Sequence, residues 1–145
     1  MKKQLALPLV LGIAAVLALS ACAGQRASAA LTDHPWKLVS YGSLASPNLA
    51  LPQGDTVISL EADGTISGNV GCNQFSGSYS VKGEKISFSQ MVSTEMACEM
   101  PLMNQEAAAF SAFRGTRDFR LDSEHLTIYY DNGSSALVLE AKSTQ

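Results

Sequence analysis

The chain has 145 residues, 46% of them hydrophobic and 16% charged, with a formal net charge of −3 and three cysteines. That length holds one domain with one core and little more. No stripe of Lys or Arg interrupts the acidic balance, which argues against nucleic acid as a partner.

The first residues read as an export signal. Lys2 and Lys3 give a positive start, Leu5 to Leu19 form an apolar run of 15 residues, and Leu19-Ser20-Ala21-Cys22 follows at once. The run falls short of the roughly 20 residues of a membrane-spanning helix, so it is read as secretory. Leu19 to Cys22 resembles a bacterial lipobox. That implies diacylglycerylation of the Cys22 thiol, cleavage before it, and acylation of the new amino terminus by a palmitate-type chain, which together give stable anchoring. The alternative is ordinary cleavage within Ala27-Ser28-Ala29. Ala23, a residue other than aspartate after the cysteine, fits delivery to the outer membrane facing the periplasm in a Gram-negative host.

The expected organisation is a lipoprotein signal peptide over 1–21, a lipidated cysteine and flexible tether over 22–30, and one folded domain over 31–142. After cleavage, eight basic residues stand against 13 acidic ones, a net charge of −5. With Cys22 assigned to lipid, Cys72 and Cys98 remain as an even pair in an oxidising compartment. A bridge closing a loop of 26 residues is the leading reading, worth about 3 kcal/mol by chain entropy. Free thiols and a metal site are the alternatives. The metal reading lacks C-x-x-C spacing, and His34 and His125 lie in separate segments.

Beyond the tether the chain alternates as short strands punctuated by glycine turns. Trp36 to Tyr41 opens the series. Two alternating runs then flank Asp63-Gly64, a dipeptide suited to a tight hairpin turn. Lys82-Gly83 repeats the device between Phe75/Tyr79/Val81 and Ile86/Phe88, and Asn132-Gly133 does so between His125–Tyr130 and Leu137–Leu139. One segment departs from this pattern. Residues 101–115 begin with proline, run through three alanines and stop at glycine, which predicts a helix. Met103, Ala107, Phe110 and, at the margin, Arg114 follow the helical period of its expected sheet-facing side, with Phe113 beside Phe110. The fold class is α+β, mainly β: a strongly curved antiparallel sheet or incomplete barrel of about eight strands with one helix packed on it.

These residues carry a family resemblance. Trp36 with Leu38, then Asp63 to Tyr79 matching G-x-x-G-C-N-x-x-x-G-x-Y, then Ser93 to Phe110 matching T-x-M-A-C followed by Q-E, are similar to the META domain of HslJ-like bacterial lipoproteins. Glu95 replaces the arginine that many relatives carry. The resemblance implies a cell-envelope setting and a link to heat-shock or stress response, without defining a reaction.

Candidate functional residues are few. The glycines around Cys72 read first as a bend. Asn73, Gln74 and Ser76, together with Glu95, form the candidate partner-binding corner. Met91, Met96, Met100 and Met103 read as packing beneath the helix, with Cu(I) ligation as the sharper alternative. No catalytic motif is present, and Asp122-Ser-Glu-His125 reads as a turn into a strand. The sequence therefore points to a non-enzymatic, monomeric, lipid-anchored envelope protein that needs no cofactor and binds a protein partner. A carrier of a small apolar ligand and an inhibitor of a secreted hydrolase are the alternatives.

Overall fold

The computed structural model describes residues 29–142. The signal segment, Cys22 and Ala23 lie outside the described residues, and among these no helix is long and apolar enough to cross a membrane. Nine strands form one antiparallel sheet: β1 (Trp36–Ser43), β2 (Asn48–Leu49), β3 (Val57–Leu60), β4 (Thr65–Asn69), β5 (Gln74–Lys82), β6 (Lys85–Ser93), β7 (Gly115–Leu121), β8 (His125–Tyr130) and β9 (Ser135–Ala141). One helix, α1 (Met100–Ala112), is inserted between β6 and β7.

The sheet closes. Strands β3 to β9 pair in sequence order, and β1 lies between β3 and β9, making an eight-stranded barrel with β2 as an extra strand. Closure rests on a long β1–β9 ladder from Trp36↔Ala141 to Ser43↔Ser135. A register shift at Val39 turns the second half of β1 from β3 to β2. A closed barrel has no free edge where its pairing is complete.

Alternation decides which side chains fill it. Trp36 and Leu38, Ile58 and Leu60, Ile66, Phe75 and Tyr79, Ile86 and Phe88, Leu126 and Ile128, and Leu137 and Leu139 all point inward and are buried. An eight-stranded barrel is just wide enough for such side chains to fill. Each fully buried Leu or Ile contributes roughly 1.5–3 kcal/mol of hydrophobic stabilisation. The Trp36 indole N–H is satisfied by Leu31 O at 2.9 Å. Leu31 is itself buried, and residues 29–32 form a helical turn, so the domain takes in the end of the expected tether.

The expected hairpins form. Gly64 has φ +87° and Gly83 φ +61°, while Asp131, Asn132 and Gly133 are all left-handed. Asp63 Oδ1 accepts the Thr65 N–H at 2.9 Å, closing its own turn. Strand β7 lacks an apolar alternation strong enough to announce it. Only Phe119 in Gly115–Leu121 is buried.

Helix α1 has Pro101 in its first turn and ends at Ala112, with Gly115 (φ +64°) opening β7. Its orientation corrects the sequence reading. The buried helical residues are Gln105, Ala109 and Ala112, followed by Phe113, whereas Met103, Ala107 and Arg114 are exposed and Phe110 is half-buried. Small alanines let the helix approach closely, and a polar residue takes the central inward position.

Candidate functional site

The bend after β4 is held by α1 through side chains rather than by a sheet ladder. Gln105 is fully buried; its Oε1 accepts Leu51 N–H at 2.8 Å and its Nε2 donates to Val70 O at 2.9 Å. The neighbouring Glu106 accepts the backbone N–H groups of Cys72 (2.8 Å) and Asn73 (2.5 Å) on Oε2, and Asn73 Nδ2 at 2.8 Å on Oε1. Buried backbone groups need partners of this kind, since an orphaned donor costs about 1–3 kcal/mol.

Asn73 extends the clamp to a third segment. Its Oδ1 accepts Thr94 Oγ1–H at 2.8 Å and Met96 N–H at 2.7 Å. The Cys72–Cys98 disulfide, with Cα atoms 5.9 Å apart, ties the same two segments covalently. Gly71 makes the approach of α1 sterically feasible, because a Cβ there would lie 2.6 Å from Glu106 Cβ and 2.7 Å from Leu102 O. The spaced glycine, cysteine, asparagine, threonine and Gln-Glu residues thus converge on one structural knot.

That knot revises the expected partner-binding corner. Asn73 is only 6% exposed and its side-chain amide is engaged within the molecule, so it holds the corner instead of presenting it. Gln74, Ser76 and Glu95 are exposed, as are Val92, Ser93 and Thr94 beside them. Gln74, Phe75 and Ser76 line an open groove with Val92, Ser93 and Thr94. Sequence reasoning missed Gln105 and Glu106 as its supports. Two adjacent polar residues inside an alanine-rich helix were the available signal.

The methionines also require correction. Met96, Met100 and Met103 are 53%, 65% and 41% exposed, because Gln105, Ala109 and Ala112 occupy the inward side of the helix. Met91 alone of the four packs against the core. His34 stacks edge-on against Trp36 at 4.4 Å, while His125 begins β8, so the two histidines belong to different parts of the barrel. Asp122 Oδ1 accepts the N–H groups of Glu124 and His125 at 2.9 and 2.8 Å, as a turn residue should. Those two backbone bonds hold its carboxyl below the usual Asp range. Tyr79 and Tyr130 shift the other way, with the phenols pushed up chiefly by burial.

A small closed antiparallel barrel, carrying one inserted helix clamped to a disulfide-fixed corner, is the class this geometry defines. The META domain family model matches residues 29–143, and the chain belongs to that family. Its fold is similar to that of a protein from Burkholderia xenovorans solved by NMR, with 23% identity, a TM-score of 0.67, and coverage of 82% of this chain and 88% of that one. A second NMR structure shares 22% identity over 79% and 93% of the two chains, with a TM-score of 0.63. A DUF4847 family protein from Bacteroides vulgatus matches at 13% identity and a TM-score of 0.55, over 79% and 96%. At these identities the likeness concerns the fold. No curated protein matches the chain.

Proposed function

We propose that this META domain protein is a non-enzymatic, lipid-anchored envelope protein that binds a protein partner through the corner formed by Gln74, Ser76, Val92 and Glu95. The observation that carries the reading is a pre-organised surface. Exposed polar and apolar groups sit on backbone fixed by the Cys72–Cys98 bridge and the Asn73–Glu106 clamp, so little ordering entropy is lost on association. Carriage of an apolar ligand needs interior space, and burial of Trp36, Phe113 and the inward strand residues in the barrel, among the described residues, favours partner binding over carriage. The acyl anchor at Cys22 follows from the lipobox resemblance, and a role in envelope stress or heat-shock response from the HslJ-like one.

The test is site-specific photocrosslinking in intact cells, with the crosslinker at Gln74, Ser76 or Glu95 and a control at Lys82. The reading expects one partner captured from the three corner positions and not from the control. Equal capture from all four positions, or none from the corner, defeats it. The anchor is tested separately by Cys22→Ser, which should yield an unlipidated and mislocalised precursor. The same soluble mature form in both proteins would remove lipidation from the reading.

A further inference from the structure

The barrel is incomplete along one half-strand. β6 pairs with β7 only from Lys85↔Asp118 to Phe88↔Gly115. Beyond them Ser89, Val92 and Ser93 pair with β5 alone. Gln90, left-handed at φ +54°, makes a bulge opposite Gly77 and offsets this half from the part that reaches β7. Thr94 N–H points to β5, bonding Gln74 O at 3.0 Å. Strand alternation therefore turns the backbone groups of Met91 and Ser93 toward the open side.

A groove of about 230 Å³ runs along that side, lined by Met91, Val92, Ser93, Phe110, Phe113 and Arg114. Its aromatic floor is braced. Phe75 packs on Phe110 and Phe113 at 5.5 and 5.4 Å, and Phe88 on Phe113 at 5.1 Å. Val92 is 63% exposed, and with Met96, Met100 and Met103 it accounts for four of the six large exposed hydrophobic residues among those described.

Charge gives the open edge a direction. Arg114 directly precedes Gly115, whose partner is Phe88, so it stands where the free half of β6 begins. Arg114 is exposed and has no carboxylate within salt-bridge distance among the described residues, in a chain with more acids than bases. Glu95 stands beyond the other end. A strand added antiparallel to β6 would enter near Glu95 and run toward Arg114, where the start of β7 blocks further extension.

We infer that the Ser89–Ser93 edge of β6 binds the extended carboxyl-terminal segment of a protein partner by strand addition, with an apolar side chain over Phe110 and Phe113 and the terminal carboxylate on Arg114. Main-chain bonds to Met91 and Ser93 supply affinity, the groove selects an apolar side chain, and Arg114 selects the free terminus. This rests on the partner-binding reading above and names the partner's chemistry.

The probe is a fluorescein-labelled pentapeptide, Ser-Val-Thr-Val-Leu with a free carboxylate, set against its carboxyl-terminal amide. It is titrated into the disulfide-bonded protein, with amide chemical shifts recorded by NMR. The inference expects shifts concentrated at Ser89–Ser93 and Arg114, and tighter binding of the acid. Arg114→Gln should weaken the acid about tenfold, as loss of one charge-assisted hydrogen bond does, and leave the amide unchanged. Ser93→Pro removes only an outward donor at an edge and should abolish binding of both, its unchanged melting temperature showing that the barrel survives. Equal binding of acid and amide, unaltered binding by Ser93→Pro, or absence of shifts along the edge overturns the inference. So does a concentration-dependent dimer that Ser93→Pro dissociates, which assigns the edge to a second copy of the chain. Crosslinking from Gln74 and Ser76 separates the two readings. Capture of the same partner by wild type and Ser93→Pro leaves partner binding standing and removes the edge from it.

Discussion

Replacing Glu106 by glutamine changes one carboxylate oxygen into an amide donor and should cost far more than its near-identical size suggests. Oε2 accepts two backbone N–H groups and Oε1 accepts Asn73 Nδ2. A glutamine offers its single oxygen to one of these sets and turns its NH2 toward donors of the other. Asn73 cannot accommodate this by reversing its amide, because its Oδ1 already receives Thr94 Oγ1–H and Met96 N–H. At least one charge-assisted bond is lost and two donors face each other, for a loss of about 2 kcal/mol. In a domain of this size that lowers Tm by about 8 °C. Glu106→Ala leaves three donors without their acceptor and should cost about 3–5 kcal/mol. A double-mutant cycle with Asn73→Ala should return a coupling of about 1–2 kcal/mol. The assay is thermal and urea denaturation followed by circular dichroism, with the disulfide kept oxidised. Glu106→Gln within about 0.5 kcal/mol of wild type, or a cycle with no coupling, would refute the clamp as an energetic unit.

Cys72→Ser and Cys98→Ser should each cost about 2–5 kcal/mol, and the double variant should match either single one because all three remove the same 26-residue closure; additive losses in urea denaturation would contradict this. Gly71→Ala should destabilise by about 2–4 kcal/mol, since its Cβ meets helix backbone at 2.7 Å; a neutral melting curve would show that α1 can move aside. The Asp122 carboxyl should titrate below the ordinary value of about 3.9. Its folded pKa is depressed, so its contribution to stability is present above the unfolded value and lost as pH falls through the folded one. A carboxyl-carbon NMR midpoint at or above 3.9 would remove the two backbone bonds as its cause. In the alkaline range, Tyr79 and Tyr130 have raised values, so their contribution is intact below about pH 10 and lost as pH rises through the folded values; denaturation midpoints unchanged from pH 9 to 12 would oppose that.

The sequence by itself determined most of the strands and their glycine turns, β2 and β7 excepted, because both signals are local. A pleated strand alternates its side chains with period two, and Asp63-Gly64, Lys82-Gly83 and Asn132-Gly133 carry their left-handed preference in the residues themselves. It also placed Pro101 at the start of the helical segment and Gly115 just past its end. The helix face could not be read the same way. Apolar periodicity favoured Met103 and Ala107, whereas the inward central position belongs to Gln105, a polar residue satisfied by Leu51 and Val70 from distant segments. Asn73 looked like surface for the same reason: its four hydrogen bonds reach Glu106, Thr94 and Met96, 21 to 33 residues away. Closure through β1 and β9, and the half-strand of β6 left open beside Phe110 and Arg114, were likewise decided only in three dimensions. Whether a polar side chain is buried or displayed depends on partners far along the chain, and local propensity contains no term for them.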